Sequence, residues 1–311
     1  MTAFHHVPVM LREVIDGLRI RSGGVYFDGT VGGGGHSFAI LSADPTVRLI
    51  ATDKDEEALA AAEERLRPFA GRYSLHHSDY KDYARVLDAE GVELLDGVLL
   101  DFGVSSHQID DKDRGFSYLK ADAPLDMRMD RGSPLTAETV VNEYPEERLV
   151  RILREYGEER FASLIVRNIA RARAKARITT CGELTRLIEE AIPAKFRHQG
   201  PCARQTFQAI RIEVNGELEG LDACVRGLAR RLKPGGRIAV LTFHSLEDRI
   251  VKNVFRDLST DCTCPKSFPV CVCGRKKELE PVTKKPVTAG PQELAENSRS
   301  KCAKLRVAEK R

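Results

Sequence analysis

The sequence contains no apolar run that approaches the roughly 20 residues needed to cross a bilayer, so we expect no membrane helix. Its first residues, MTAFHHVPVMLREV, lack a basic stretch followed by an apolar core. We therefore expect no signal peptide and a cytoplasmic protein. The eight cysteines are then expected to be thiols or metal ligands, because disulfides are rare in that compartment.

The sequence also lacks the G-x-G-x-x-G fingerprint of dinucleotide-binding loops. Residues 25–36 read VYFDGTVGGGGH, which predicts a short strand, a glycine loop and the start of a helix. In the registers that fit the glycine run, the last glycine of the fingerprint would fall on Ser37 or Phe38. This absence argues against a dehydrogenase. Asp28 at the mouth of the loop instead suits a ligand with an ammonium group, such as the methionine end of S-adenosylmethionine.

Acidic residues follow the predicted strands at the edge where open parallel sheets bind their ligands. The four are Asp28, Asp53, Asp79 and Asp101. Asp53, at the tip of the second strand, is placed to accept hydrogen bonds from two ribose hydroxyls. Asp79 and Tyr80 follow the third strand, where one would bond an adenine amino group and the other would stack on the ring. Asp79 could equally cap a helix.

The alternation of strands and helices predicts an α/β fold with a doubly wound, mostly parallel sheet and an inserted all-helical domain. We assign the chain to four segments: 1–104, the first part of the sheet domain; 105–145, an active-site loop region; 146–232, the inserted helical domain; and 233–311, the second part with a basic, cysteine-containing tail. Residues 304–307 are expected to form a last edge strand. Thr180 and Glu183 predict a capping box in the insertion.

The formal net charge of +3 is unevenly distributed along the chain. Residues 262–311 contain 12 Lys and Arg against 5 Asp and Glu, a net charge of +7, which leaves −4 for residues 1–261. A second basic cluster, residues 148–177, has 9 basic and 3 acidic residues. Such clusters are often solvated helix faces or tails, but two of them beside a ligand-binding core favour a polyanionic partner.

The tail cysteines follow the pattern C-x-C-x6-C-x-C, at Cys262, Cys264, Cys271 and Cys273. Four thiolates would satisfy tetrahedral zinc, although structural zinc sites usually use C-x2-C. Two interpretations of these four cysteines therefore stay open, a zinc site and free thiols. Cys202 follows a proline, as does the nucleophile of cytosine-C5 methyltransferases. It lies in the predicted helical insertion, far in sequence from the fourth strand, which argues against that role.

Residues 101–108, DFGVSSHQ, resemble the D-x-G-V-S-S-x-Q signature of the bacterial 16S ribosomal RNA cytosine-N4 methyltransferases. Further runs are similar to that family across nearly the whole chain: His6–Met10, Asp28–His36, Arg114–Ser117, Pro124–Asp130, Gly157–Phe161, Thr206–Arg211 and Phe243–Arg249. The departures are Tyr80, where relatives have Phe, and Ala123, where Gly is expected. A phenol ring can still stack on a base.

The resemblance implies a class I methyltransferase fold and methylation of N4 of one cytidine in the decoding region of 16S ribosomal RNA, with S-adenosylmethionine as donor. It implies cofactor contacts at Gly34, Gly35, His36, Asp53, Tyr80, Asp101 and Gln108. Asp101 has a second candidate role, in which its carboxylate accepts a hydrogen bond from the target amino group and draws it toward tetrahedral geometry. For Asp126, Arg128 and Asp130 the resemblance favours contact with substrate or cofactor over a solvated turn.

Other interpretations stay open from the sequence. The protein could bind S-adenosylmethionine and RNA as an assembly factor without turnover, or methylate another amino group of a nucleic acid. The substrate could be naked RNA or, as the resemblance favours, the assembled 30S subunit. A monomer and a homodimer are both compatible with the sequence. In structured RNA, the target cytosine is expected to flip into a pocket.

Overall fold

The computed structural model describes residues 8–265, 268 and 270–311. His6 and Val7 of the first family-like run lie outside these residues. The chain divides into two compact units, one formed by Met1–Gly103 and Gly220–Arg311 and the other by Val104–Glu219. Among the described residues, no helix combines the length and the apolarity needed to cross a membrane.

The first unit contains a seven-stranded sheet with the strand order β3-β2-β1-β4-β5-β7-β6. Its strands are β1 (Val25–Asp28), β2 (Arg48–Asp53), β3 (Tyr73–His77), β4 (Leu95–Asp101), β5 (Leu232–Thr242), β6 (Leu279–Pro281) and β7 (Lys304–Lys310). Strands β1 to β5 pair in parallel, and β7 pairs antiparallel with both β5 and β6. This is the predicted doubly wound, mostly parallel sheet of the class I methyltransferase type, with helices inserted between β4 and β5.

Thirteen α-helices are present among the described residues. They are α1 (Leu11–Leu18), α2 (Gly35–Ala43), α3 (Glu56–Leu66), α4 (Tyr83–Ala89), α5 (Ser106–Asp110), α6 (Ala137–Glu143), α7 (Glu146–Glu155), α8 (Ala162–Arg173), α9 (Cys181–Ala191), α10 (Arg204–Asn215), α11 (Leu221–Arg230), α12 (Ser245–Leu258) and α13 (Pro291–Glu296). Helices α5 to α10 belong to the second unit.

Local sequence explains why these elements form where they do. In β4 every residue from Leu95 to Leu100 is buried, as expected for a central parallel strand covered on both faces. In α3 the buried residues Ala58, Ala62 and Leu66 recur every four positions, and Asp55 caps the helix by accepting a hydrogen bond from Glu57 N. Thr180 and Glu183 form the predicted capping box of α9.

The structure corrects the prediction for residues 304–307. The strand extends over Lys304–Lys310 and lies between β5 and β6, so β6 is the edge of the sheet. The short β6, which contains Pro281, has too little apolar pattern to be recognised in the sequence. The end of the insertion also differs from the expected residue 232. Helix α11 packs against α12 and β5, so residues 221–232 belong to the first unit.

The strand order places a change of direction between β1 and β4. From β1 the chain proceeds to β2 and β3 on one side, and then returns to β4 on the other side of β1. In register, Asp28 at the end of β1 lies beside Leu99 of β4, and Asp101 ends β4 beside Leu241 of β5. Open α/β sheets bind their ligands at the carboxyl edge at such a switch point.

Candidate functional site

A glycine loop joins β1 to α2 at the switch point. Gly29 N donates a hydrogen bond to Leu99 O (3.0 Å), and Val31 N donates to Thr52 O (3.0 Å), so the loop is tied to both neighbouring strands. A Cβ on Gly29 would lie 2.6 Å from Leu100 Cδ2 and 2.8 Å from Tyr80 Cβ. Gly34 has φ +75° and forms the N-cap of α2. The loop therefore needs glycine both for close packing and for its backbone conformation.

Asp28 lies inside this loop and does not face outward. Its side chain is only 1% exposed. One carboxyl oxygen accepts a hydrogen bond from Thr30 N (3.1 Å) and the other accepts one from Ser37 Oγ (2.6 Å). Burial raises the pKa of Asp28 to about 6, against the opposing effect of these hydrogen bonds. The structure thus gives Asp28 the role of holding the loop, in place of the predicted contact with a ligand's ammonium group.

Asp53 links the end of β2 to the glycine loop. Its Oδ2 accepts a hydrogen bond from Gly32 N (2.8 Å) and its Oδ1 accepts one from Asp55 N (3.0 Å). Burial raises the pKa of Asp53 to about 6, and the two backbone donors partly offset this shift. The carboxyl group lies at the predicted edge of the sheet, where contact with ribose hydroxyls stays a prediction.

Tyr80 and Asp79 follow β3 with different roles. Asp79 caps the turn Tyr80–Asp82 by accepting a hydrogen bond from Lys81 N (3.0 Å), and it forms an ion pair with Lys54 Nζ (2.7 Å). The capping alternative is therefore the one that the structure shows for Asp79. The Tyr80 ring packs against Phe102, with 5.4 Å between ring centroids and 41° between ring planes. This arrangement positions an aromatic ring beside the end of β4.

Asp101 ends β4 with a carboxyl group that is 23% exposed. Its backbone N donates to Thr30 Oγ1 (2.7 Å), which ties it to the glycine loop. Its Oδ2 lies 3.6 Å from His36 Nδ1, while Oδ1 is buried and has no hydrogen-bond partner among the described residues. Burial first, and then the negative charges of Asp28 and Glu247, raise the pKa of Asp101 to about 8.

These carboxyl groups give the edge of the sheet a distinct electrostatic character. Asp28, Asp53 and Asp101 all have pKa values raised mainly by burial. A cationic ligand placed among them would favour their charged forms and lower these pKa values. The Oδ1 atom of Asp101 is also an acceptor whose hydrogen-bonding capacity no described residue uses. The arrangement suits a positively charged ligand and an amino-bearing substrate.

The predicted contact Gln108 lies in the second unit. Its side chain is buried, and its Oε1 accepts a hydrogen bond from Ser105 N (3.0 Å), while Gln108 N donates to Ser105 Oγ (3.2 Å). The two residues form the capping box of α5. The S-S-x-Q part of the signature therefore has a local structural role, and contact between Gln108 and a cofactor stays a prediction.

Two further family-like runs are bound to each other inside the second unit. Arg114 is fully buried, and its Nη2 donates to Arg128 O (3.0 Å) and Met129 O (2.8 Å). Asp126 and Arg128 form a two-point ion pair of 2.9 and 2.7 Å. In place of a solvated turn, these residues build an ordered loop. The sequence places Arg114 in a family-like run but does not predict its burial, because a lone arginine in a polar run gives no signal of burial.

The residues after β5 form the start of α12. His244 is the N-cap of α12, and Ser245 is the first residue of the helix. His244 Nε2 lies 3.0 Å from Glu247 Oε1. Glu247, which sequence reasoning did not single out, is 2% exposed and its Oε2 accepts a hydrogen bond from Phe243 N (2.9 Å). Its charge contributes to the raised pKa of Asp101.

The cysteines fall into different environments. The sulfurs of Cys262, Cys264, Cys271 and Cys273 all lie within 4.8 Å of one another in the first unit. Cys202 lies in the second unit, where its Sγ is 3.8 Å from Arg197 O and 3.9 Å from Gly200 O. The tail pattern is therefore a spatial cluster as well as a sequence pattern.

A family model described as the MraW methylase family matches residues 3–311. The chain is 54% identical to the "Ribosomal RNA small subunit methyltransferase H" of Symbiobacterium thermophilum over 99% of this chain and 97% of that protein. It is 52% identical to the protein of the same name from Geobacter sp. strain M21 over the full length of both.

Two solved structures are similar at low sequence identity. One is described as an rRNA-methylase from Clostridium thermocellum; it is 11% identical, with a TM-score of 0.44, and 98% of this chain and 100% of that chain are covered. The other is a methyltransferase from Streptococcus mutans in complex with SAH, also 11% identical, with a TM-score of 0.42 and the same coverage.

Proposed function

The chain belongs to the MraW methylase family, and we propose that it transfers a methyl group from S-adenosylmethionine to the N4 amino group of a cytidine in the decoding region of 16S ribosomal RNA. Its relatives are named as methyltransferases of small-subunit ribosomal RNA, which supports the reaction and the substrate class. The single structural observation that carries the site is the Asp101 carboxyl group, which ends β4 at the switch point with one buried oxygen that has no partner among the described residues.

The residues at the carboxyl edge fit this cofactor. S-adenosylmethionine supplies an electrophilic methyl group on a positively charged sulfur. A cationic ligand there would stabilise the charged forms of the buried Asp53 and Asp101 carboxyl groups, and the Tyr80 ring offers an aromatic face for adenine. The residues proposed to hold the cofactor are Gly34, Gly35, His36, Asp53, Tyr80, Asp101 and Gln108.

Asp101 is the residue proposed to act on the substrate. The N4 amino group of cytosine is a weak nucleophile, because its lone pair is delocalised into the ring. A carboxylate that accepts one N–H bond would orient the amino group and favour tetrahedral geometry at nitrogen. A cation beside Asp101 would lower its raised pKa and so favour its charged form at neutral pH. Binding of the cationic cofactor would therefore increase the fraction of Asp101 that is ionised and able to accept this hydrogen bond.

We also propose that the substrate is the assembled 30S subunit in the cytoplasm. The basic C-terminal segment supports a polyanionic partner, because Lys276, Lys284 and Lys285 are exposed in the first unit. A monomer and a homodimer are both compatible with this proposal.

A methyl-transfer assay tests the proposal. Purified protein is incubated with labelled S-adenosylmethionine and either 30S subunits that lack the modification or naked 16S RNA. The RNA is digested and its nucleosides are identified by mass and retention. We expect N4-methylcytidine at one decoding-region site, and only with 30S subunits. Transfer to another atom or another RNA region would contradict the substrate assignment, and RNA binding with no turnover would instead favour an assembly factor.

A further inference from the structure

Four sulfur atoms converge in the segment between α12 and β6. Cys264 Sγ lies 4.0 Å from Cys271 Sγ, Cys271 Sγ lies 3.4 Å from Cys273 Sγ, and Cys273 Sγ lies 4.0 Å from Cys262 Sγ. All four sulfurs lie within 4.8 Å of one another. The arrangement is a compact cluster of thiols and contains no disulfide among these described cysteines.

These separations match those of a metal site with four thiolates. Zinc binds thiolate sulfur at about 2.3 Å with tetrahedral angles, which places the sulfurs about 3.8 Å apart. The three separations above, 3.4 to 4.0 Å, lie on both sides of this value. A disulfide would require sulfurs at about 2.05 Å. The geometry is that of ligands around one small ion.

Backbone donors point at the same sulfurs. Cys264 N donates a hydrogen bond to Cys262 Sγ (3.4 Å), and Val272 N donates to Cys264 Sγ (3.4 Å). Hydrogen bonds of this kind stabilise a thiolate, which is the form that binds metal. The backbone on both sides of the cluster is therefore folded around the sulfur atoms. The C-x-C spacing alone does not require this arrangement.

The described residues of this segment have few other contacts to hold them in place. At its base, Glu278 N donates to Leu258 O (2.8 Å), and Arg275 Nη2 donates to Asp257 Oδ1 (2.7 Å). Between these ends the described residues form no helix or strand. The apolar residues Val270 and Val272 are 69% and 73% exposed, so they do not form a core beneath the loop. A long loop without such packing needs another constraint to adopt one structure.

We propose that Cys262, Cys264, Cys271 and Cys273 bind one Zn²⁺ ion, which fixes the loop between α12 and β6. The protein fills all four tetrahedral positions, so the site is structural and leaves no position for a substrate or water. The inference rests on the sulfur geometry and does not depend on the methyl-transfer function.

Metal analysis of the purified full chain tests the site. We expect about one zinc ion per chain in the wild type, as in other four-thiolate structural sites. The double variants Cys262→Ser/Cys264→Ser and Cys271→Ser/Cys273→Ser should contain none. The matched control is Cys302→Ser, since Cys302 is also an exposed cysteine but lies outside the cluster. Absence of zinc from the wild type, or unchanged zinc in both double variants, would overturn the proposal.

Two measurements on the wild-type chain keep the test independent of whether the variants fold. Cobalt exchanged into the site should give the visible spectrum of tetrahedral four-thiolate coordination. After denaturation with a chelator, all eight cysteines should react as thiols. A smaller number of reactive thiols together with absent metal would mean that the cluster forms disulfides, and eight thiols with no cobalt spectrum would mean that it binds no metal.

Limited proteolysis reports the role of the metal in ordering the loop. Trypsin cleaves after lysine, and Lys276 is exposed within this segment. Removal of zinc should increase the cleavage rate after Lys276 by about tenfold, because the loop loses its constraint. Cleavage after Lys120, in the second unit, should not change. Equal rates with and without metal would show that zinc, if bound, does not fix the loop.

Discussion

His36 Nδ1 lies 3.6 Å from Asp101 Oδ2, and the opposite nitrogen of the same imidazole lies 3.0 Å from Val9 O. A carbonyl oxygen can only accept a hydrogen bond, so Nε2 must carry the hydrogen. Nδ1 is thereby directed at Asp101. The imidazole, which is 7% exposed, thus lies beside one oxygen of the carboxyl group whose other oxygen has no partner among the described residues.

The two candidate roles of Asp101 predict different kinetic results. Asp101→Asn should lower the rate of methyl transfer by about 10²-fold or more, as loss of a charged group at a reacting centre does. If Asp101 contacts the target amino group, the Kd for S-adenosylmethionine measured by calorimetry should stay within about twofold. The control is Asp16→Asn, since the Asp16 side chain is 72% exposed. If Asp101→Asn loses both cofactor affinity and activity, a role of Asp101 in contacting the target amino group is excluded.

The raised pKa of Asp101 also predicts how stability depends on pH. In the folded protein its pKa is about 8, while the ordinary value is 3.8. Between these pH values the folded state holds a proton that the unfolded chain releases, so Asp101 makes the protein less stable as pH rises. Asp101→Asn should therefore resemble the wild type near pH 4 and exceed its free energy of unfolding by several kcal/mol at pH 8, since each pH unit between the two pKa values contributes about 1.4 kcal/mol. Urea denaturation at both pH values measures this. If the two proteins differ in free energy of unfolding by the same amount at pH 4 and at pH 8, the raised pKa of Asp101 is contradicted.

Tyr80 should contribute to cofactor affinity through its ring. Tyr80→Ala removes the aromatic face and its packing against Phe102, and should weaken binding of S-adenosylmethionine about tenfold or more, as loss of base stacking does. Tyr80→Phe keeps the ring and should bind within about twofold of the wild type. Calorimetric titration of both variants provides the comparison. Wild-type affinity in Tyr80→Ala would show that the ring does not contact the cofactor.

Gly34 offers a test of the glycine loop with a matched control. Gly34 has φ +75° and Gly71 has φ +83°, so alanine is strained at both positions, by about 1–2 kcal/mol. A Cβ on Gly34 would also lie 3.2 Å from Ala62 Cα, whereas a Cβ on Gly71 would meet no atom within 4 Å. Both variants should have a lower Tm, but only Gly34→Ala should weaken cofactor binding. Equal cofactor affinities would place the ligand away from the loop.

Arg114 should be essential for the stability of the second unit. Arg114→Met leaves the carbonyls of Arg128 and Met129 without their guanidinium donor in a buried site, and should lower the free energy of unfolding by about 2–4 kcal/mol. The control Arg151→Met changes an exposed side chain and should be nearly neutral. Urea denaturation followed by circular dichroism measures the two. A neutral Arg114→Met would mean that other donors satisfy these carbonyls.

Much of the first unit could be predicted from local pattern. Strand β3 and helix α3 lie where local pattern alone favours them, because apolar periodicity and Asp55 capping define them locally. The predicted contact of Asp28 with a ligand's ammonium group does not match the structure. An aspartate at a strand end is compatible with several roles, and the direction of its side chain depends on how the glycine loop folds around it.

The sequence by itself determined the fold class, the glycine loop and the placement of acids at strand ends, because strand, loop and helix signals are local. Only the tertiary structure decided which of these acids are satisfied by partners within the protein. Asp28 is bound by Ser37 and Thr30, Asp79 by Lys54, and Asp101 alone of these three has a buried oxygen with no partner among the described residues. The burial of Arg114 and the convergence of four sulfurs were also decided there, because burial and proximity depend on how distant segments pack.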